Sequence, residues 1–449
     1  MMCSQSASMI VHPHSSPDAA FADAAPAGLR VACVTGHTKH PHSNIYMESP
    51  VFTPDGARFI FQRMLPDPPT ICMQNRRRTY WLCDIDDGCS LRQLTDEPEA
   101  IAPAVSPDGR FMYYFVNNRM PQRRTGVELR RVDLNSFERE TVMQLDGALC
   151  GSPCDAPPSR LYSLASIRRD GRAVCTGAFL GDGVHTDTAE WGVIVCDLDA
   201  GQAHVALRGR NYINPHIQYS RSDDPRHMRD ILVQENLEVI CAPDGEIAHI
   251  GSGCLVHVVR DDGGDHRILP CGGDAEEVCH GHQEWRGAQP TVIVGVDRIE
   301  PDQPHIRPLI EATPMPHDPD DPTPPRLRIG AERCRTDITR DMDAPAFGHT
   351  TFDASGTRFV GDWRAPGAPA DQTHMYIGTL SREPDAALQV RYLLHPRTSY
   401  GRDQITHPHP CLSPDGRRLL FNSDITGLPQ VWLAEVLPDA PQADTTGAA

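Results

Sequence analysis

Short apolar runs recur along this chain, and each follows a turn of nearly constant chemistry. The turns read Thr53-Pro-Asp-Gly56, Ser106-Pro-Asp-Gly109, Arg168-Arg-Asp-Gly171, Asp353-Ala-Ser-Gly356 and Ser413-Pro-Asp-Gly416. The runs that follow are Arg58-Phe-Ile-Phe61, Phe111-Met-Tyr-Tyr-Phe115, Ala173-Val-Cys175, Arg358-Phe-Val360 and Leu419-Leu-Phe421. Asp-Gly closes a tight hairpin because glycine accepts positive φ and aspartate hydrogen-bonds its own backbone. Two degenerate copies fill the long gap between 171 and 356. One is Ser222-Asp-Asp-Pro225 before Ile231-Leu-Val233, and the other is Trp285-Arg-Gly287 before Thr291-Val-Ile-Val294.

Turn starts near 53, 106, 168, 222, 284, 353 and 413 are separated by 53 to 69 residues. Short strands and Asp-Gly turns at this period predict the blades of a β-propeller, and seven starts predict seven blades. Tyr80-Trp-Leu-Cys83, Trp191-Gly-Val-Ile-Val195 and Val431-Trp-Leu433 would supply outer strands. The fold expected is therefore all-β: a seven-bladed β-propeller with TolB-like Asp-Gly repeats. It should span residues 36–436, between an Ala-, Ser- and Pro-rich segment 1–35 and a tail 437–449, both expected to be disordered. The Pro- and Asp-rich stretch Pro301–Pro325 reads as a long loop between blades.

Composition removes several function classes. The repeats leave no room for a second catalytic domain within 449 residues, and no Gly-x-Ser-x-Gly elbow is present. A net charge of −18 argues against a nucleic-acid-binding surface, and it obliges any anionic substrate to find a local positive site. Fifteen cysteines without a Cys-x-x-Cys pair fit buried thiols in a reducing compartment. Neither a secretory signal nor a membrane-length apolar run is apparent, so a cytoplasmic protein is expected.

The candidate chemistry lies on the strands that precede the turns, which should line the central channel. Four carry histidines: Asn214-Pro-His216, His280-Gly-His282-Gln-Glu-Trp285, Phe347-Gly-His349 and His407-Pro-His409. His349 and His409 each stand seven residues before the turn glycine. His280 shares that offset, unless the fifth turn is shortened, in which case His282 takes the matching place. Imidazoles in one register at one mouth of a channel are a metal-site pattern. With the amide oxygen of Gln404 nearby, they suit Mn²⁺, Fe²⁺, Co²⁺ or Ni²⁺ better than tetrahedral zinc. His37, His40 and His42 read as loop residues approaching the first blade.

The combination Gln404-x-x-His407-x-His409-Pro, Ser413-Pro-Asp-Gly416 and Phe421-Asn-Ser-Asp424 resembles the oligogalacturonate lyases (polysaccharide lyase family 22). The likeness covers residues 35–436 and is patchy between blades. It extends to His282-Gln-Glu-Trp285, Thr398-Ser399, Gln93-Leu-Thr-Asp96 and Tyr46. It implies a cytoplasmic metal-dependent propeller that cleaves short anionic uronic-acid oligosaccharides, with Mn²⁺ held by Gln404, His407, His409 and His282. Such chemistry removes the C5 proton beside a carboxylate, so it needs a cation against that carboxylate and a base. The family's base histidine aligns with Gln234 here, and glutamine is no base at neutral pH. His216 or His349 is the expected substitute, with Arg221 as a carboxylate-binding helper. A propeller enzyme acting on another sugar acid, or a non-catalytic TolB-like scaffold, are the rival readings.

Overall fold

The computed structural model describes residues 21, 29–66, 77–117, 126–153, 155, 157–180, 190–241, 247–249, 251, 253–298, 306–365, 367–383, 385–401 and 403–436. The expected disordered tail, and all of segment 1–28 except Phe21, lie outside these residues.

The hairpins assemble into seven antiparallel blades. Blade one holds His42–Asn44, Arg58–Met64, Arg78–Asp84 and Ser90–Gln93. Blade two holds Ala100–Val105, Phe111–Asn117, Val127–Asp133 and Arg139–Leu145, and blade three Arg160–Ile167, Ala173–Phe179, Trp191–Asp197 and Gln202–Gly209. Blade four is Gln218–Tyr219, Asp230–Asn236, Cys254–Arg260 and Arg267–Ile268. Blade five is Glu277–Trp285, Val292–Arg298, Leu309–Ala312 and Arg335–Asp337. Blade six holds Phe347–Phe352, Arg358–Trp363, His374–Thr379 and Gln389–Leu394. Blade seven takes Cys411–Leu412, Arg418–Ser423 and Gln430–Glu435 from the end of the chain, and its outermost strand, Arg30–Cys33, from the beginning.

That last strand corrects the boundary read from the sequence. Arg30–Cys33 pairs with Glu435 back to Trp432, and Phe21 is buried with its ring 4.8 Å from Trp432 and 5.7 Å from Phe421. The segment is too short and mixed to read as a strand alone, because its partner is some four hundred positions away. The Pro301–Pro325 loop is corrected as well. Leu309–Ala312 is the third strand of blade five, buried along most of its length, and Met315–Pro316 reaches back to pair with Arg267–Ile268 of blade four. His42 is an inner-strand residue, fully buried, with Arg63 Nε–H donating to its Nε2 at 2.9 Å.

The repeated turns do more than reverse the chain. In blade one, Thr53 Oγ1 donates to Asp55 at 2.6 Å and accepts the Arg58 N–H, while Gly56 turns at φ 68°. Ser106/Asp108 and Ser413/Asp415 repeat the device at 2.5 and 2.6 Å. Neighbouring turns then touch around the ring: a Cβ on Gly109 would meet Pro54 at 2.8 Å, and one on Gly416 would meet Arg358 at 2.6 Å. An arginine from one blade donates to the turn glycine carbonyl of the next. Arg286 reaches Gly356 (2.9 Å), Arg358 reaches Gly416 (2.8 Å) and Arg418 reaches Gly56 (2.6 Å), so the last of these clamps joins blade seven to blade one.

The cores are layers of large side chains, such as Phe59, Phe61, Tyr80 and Tyr114, packed between adjacent blades. The described cysteines are all free, and among the described residues no helix is long and apolar enough to cross a membrane.

Arg286 is buried. Besides Gly356 it binds Glu311 through two bonds of 2.8 and 2.9 Å and the carbonyls of Leu380 and Ser381. Arg286→Met removes the buried guanidinium that pairs with Glu311 and donates to the Gly356 and Ser381 carbonyls, and should cost about 3–5 kcal/mol in denaturant unfolding. A cost below about 1 kcal/mol would show that the clamps do not hold the blades together.

Candidate metal centre and active site

The innermost strands are irregular where they approach the mouth opposite the turns. Pairing to the second strand slips between Ile101 and Ala104, Leu161 and Ala165, Gly281 and Glu284, and Phe347 and Thr350. A bulge of this kind bends the strand and re-aims a side chain. His216 (φ 44°), His282 (φ 56°) and His409 (φ 43°) adopt left-handed backbone there, as does Ala102 (φ 54°) in blade two. Each costs about 1–2 kcal/mol for a residue with a Cβ; Asn214 (φ 53°) beside His216 adopts it too, and the three histidines border the channel cavities. His282 and His409 share this conformation, and the fifth turn has the full length of the others: the Arg286 N–H bonds the Thr291 carbonyl as Ser413 does Arg418, so Gln289 stands in the turn glycine's place and His282 lies seven residues before it.

The ring nitrogens of His349, His407 and His409 offer ligand atoms all within 4.8 Å of one another. His349 and His409 have ring centres 4.5 Å apart, and Gln404 Oε1 lies 3.1 Å from His409 Nε2. His349 and His407 are held from behind. Asp362 accepts from His349 Nδ1 (2.8 Å) and from its backbone N–H (2.7 Å), leaving Nε2 bare. His407 Nε2–H donates to the Gly401 carbonyl (2.9 Å), and the ring stacks on Tyr400 at 4.0 Å, leaving Nδ1 bare. Burial, then the neighbouring imidazoles, hold the pKa of His409 well below the usual histidine range and lower that of His407.

His282 completes the group, its ring 4.5 Å from His349. Its side chain is half-buried, its Nδ1 is itself buried without a hydrogen-bond partner, and burial with the surrounding histidines holds its pKa far down. Tyr46 stands among these rings, 4.7 Å from His409 and 5.7 to 6.1 Å from His216, His349 and His282.

Two cavities meet at this cluster. One, of about 400 Å³, is lined by His280, His282, His349, Asp362, Tyr400, Gln404 and His407 together with Arg307 and Arg364. The other, of about 360 Å³, shares His282 and Gln404 and extends past Tyr46, His216 and His409 to Gln62, Arg78 and Tyr80. Arg307 is held by Asp297 at 2.7 Å, and the Arg364 guanidinium lies 3.9 Å from the Tyr400 ring centre.

The remaining candidates fall elsewhere. Arg221 is not brought to the cluster: it lines a separate cavity of about 500 Å³ bordered by the turn residues Pro54, Pro107, Ala354 and Pro414. Five residues of extended chain carry it away from His216 to that other mouth. Both nitrogens of His216 are engaged, Nδ1 by Glu48 (2.8 and 2.9 Å) and Nε2 by Asn214 (3.0 Å). Gln234 sits behind the cluster, donating to Asn236 at 2.7 Å; its Oε1 lies 2.8 Å from where a Cβ on Gly281 would be. Asp362, Tyr400, Arg307 and Arg364 escaped the sequence reading. Asp362, Trp363 and Arg364 end the strand that pairs with the His349 strand, opposite the closing turn, so pairing the two strands is the signal that could have found Asp362 and Arg364.

The donor set suits a six-coordinate divalent ion. Bonds of about 2.1 Å at right angles separate adjacent donors by about 3.0 Å, and the Gln404–His409 contact is 3.1 Å. Three imidazoles and one amide oxygen leave two positions open for substrate oxygens.

No family model matches the chain. It is 24% identical over 443 residues to an oligogalacturonide lyase of Pectobacterium atrosepticum, covering 94% of this chain and 96% of that one. A 40-residue stretch, 9% of this chain and 10% of its relative, is 50% identical to an oligogalacturonate lyase of Dickeya dadantii. The oligogalacturonate lyase of Vibrio parahaemolyticus superposes with a TM-score of 0.63 at 18% identity, over 92% of this chain and 96% of that one. An oligogalacturonate lyase solved in complex with manganese superposes at 0.64 and 19%, over 96% and 97%. The resemblance carried by the Gln404–His409 motif is thus a likeness of nearly the whole chain, and the seven-bladed propeller is the fold it shares with the oligogalacturonate lyases.

Proposed function

We propose that this chain is a divalent-metal-dependent lyase that cleaves short oligogalacturonides by β-elimination, in the breakdown of pectin. One juxtaposition carries the reading: four donors able to hold an ion, a half-buried imidazole with a bare nitrogen, and two arginines all border one pair of cavities. The curated relatives named as lyases support it, and the manganese complex supports Mn²⁺ as the ion.

We assign the ligands as Gln404, His349, His407 and His409, and the base as His282, which exchanges the two roles expected for His282 and His349. When bound, the ion supplies positive charge against the carboxylate of the sugar undergoing cleavage. Arg364 and Arg307 border the same cavity, and they supply the local cations that a chain of charge −18 needs around an anionic substrate. His282 takes the C5 proton on its bare ring nitrogen. As that proton leaves, the C4–O4 bond breaks, a C4=C5 double bond forms and the departing oxygen takes up a proton from solvent water, His282 later returning its own to solvent. His216, tied to Glu48, packs its ring 5.9 Å from His282 and acts as a positioning residue. Gln234 backs the Gly281 peptide that carries His282 and takes no proton.

The direct test is trigalacturonate with added Mn²⁺, following the ultraviolet absorbance of the unsaturated product. Product that a chelator abolishes is expected. A metal-loaded protein that leaves galacturonides intact but cleaves another uronide would move the substrate and keep the site.

The role assignment has its own outcome. His282→Ala should keep its metal while kcat falls by about 10²–10⁴-fold, whereas His349→Ala should lose the metal. The reverse pattern in metal analysis would restore His282 as a ligand. Asp362→Ala, which frees the His349 ring, should weaken the metal by about 10–100-fold without unfolding the protein; unchanged affinity would remove His349 from the ligand set.

A further inference from the structure

A second histidine cluster lies on the outer part of blade four, apart from the channel. His257 comes from the third strand of that blade, His266 from the turn into the fourth, and His317 from the chain just beyond Met315–Pro316. Their ligand atoms all fall within 4.8 Å of one another. The three rings pack mutually, with centres 4.9, 5.1 and 4.5 Å apart.

The hydrogen bonds define which nitrogens are bare. His257 Nε2 lies 2.8 Å from Glu235 Oε2, and Asn211 donates to the other carboxylate oxygen at 3.1 Å. That carboxylate fixes the proton on Nε2, so Nδ1 of His257 is a lone-pair donor. It faces Nε2 of His266 at 3.1 Å. His317 Nδ1 is buried and has no hydrogen-bond partner. One imidazole N–H can satisfy the 257–266 contact, but His317 Nδ1 then still lacks a partner. A cation serves all three.

We infer that His257, His266 and His317 form a zinc site, with Glu235 orienting His257 from the second layer. Zn–N bonds of about 2.0–2.1 Å at the tetrahedral angle separate ligand nitrogens by about 3.3 Å, close to the 3.1 Å between His257 and His266. Three imidazoles with a carboxylate behind one of them are a donor set that zinc accepts, water filling the fourth position. Asp318 and Arg328 are the other charges acting on His317.

The placement gives the ion a structural task. His317 belongs to the excursion that leaves blade five after Leu309–Ala312 and returns at Arg335–Asp337. This excursion is tied to blade four by the two-residue pairing of Met315–Pro316 with Arg267–Ile268 and by the His317 N–H bonding the His266 carbonyl at 3.1 Å. Zinc at this point staples the excursion to blade four, and it is bound independently of the channel ion.

The test uses the untagged full chain, stripped with chelator, re-equilibrated with Zn²⁺ and freed of excess. His266→Ala/His317→Ala should hold one zinc per chain fewer than the wild type, while the loss of channel ligands in His407→Ala/His409→Ala should leave the blade-four ion in place. A His266→Ala/His317→Ala protein that holds as much zinc as the wild type overturns the inference. Should that variant fail to fold, Glu235→Gln in the His407→Ala/His409→Ala protein decides the matter. Its zinc affinity in dye competition should fall by about 10–100-fold; no change, or no zinc bound before that substitution, rejects the site.

Discussion

Closure of the ring is the constraint on which everything else depends. No blade contains a site; the channel cluster exists only because blades four to seven and blade one converge. The seam that completes the circle lies within blade seven, where the first described strand pairs with the last, and blade one packs directly against it. Asn44 Nδ2 donates to the His409 carbonyl (2.6 Å), and its N–H bonds Asn422 Oδ1 (2.8 Å). Asn422 Nδ2 in turn donates to the His407 carbonyl (3.0 Å). The segment bearing two of the clustered histidines is therefore part of the latch. Loss of either amide would take these donors from the carbonyls of His407 and His409, so the seam and the site depend on each other.

Local strain is the second ingredient. On a regular strand His407 and His409, two residues apart, would project alike. The left-handed turn at His409 breaks that geometry, yet it brings Nε2 of His409 to Gln404 while His407 leans on Tyr400. The bulges and positive-φ residues of blades two to seven are the means by which a generic scaffold aims side chains into its channel. Gly281 belongs to the same logic: at φ 89°, with Gln234 Oε1 pressed against it, no other residue fits between His280 and His282.

Much of the fold was legible because its signal is local. Ser/Thr-Pro-Asp-Gly specifies its own hairpin, so even the degenerate turns at 222 and 285 marked real blades. The closing strand and the third strand of blade five were not legible, since Arg30–Cys33 and Leu309–Ala312 acquire meaning only from partners elsewhere. The site divided in the same way. The seven-residue offset picked out His349 and His409, which share a cluster. It could not say that Asp362 would engage one ring nitrogen of His349, or that Glu48 and Asn214 would occupy both of His216. Roles depend on which nitrogen is left bare, and that is a property of neighbours from other strands. Arg221 failed for a simpler reason: five extended residues span the channel.

The charge of the chain looks at odds with an anionic substrate until distance is considered. At physiological salt the Debye length is about 8 Å, so carboxylates on the outer blades are screened from the channel. Several are also neutralised in place, as Asp133 is by Arg110 and Asp274 by Arg326. Within the cavity the balance differs. Asp362 is spent on His349 and Asp297 on Arg307, and Arg364 rests on the Tyr400 ring with its charge uncompensated by any described carboxylate contact. A cation beside an aromatic face in a partly desolvated pocket acts more strongly than one on the surface. The sign of the field that a bound anion meets is therefore set by these few groups and not by the sum over the chain.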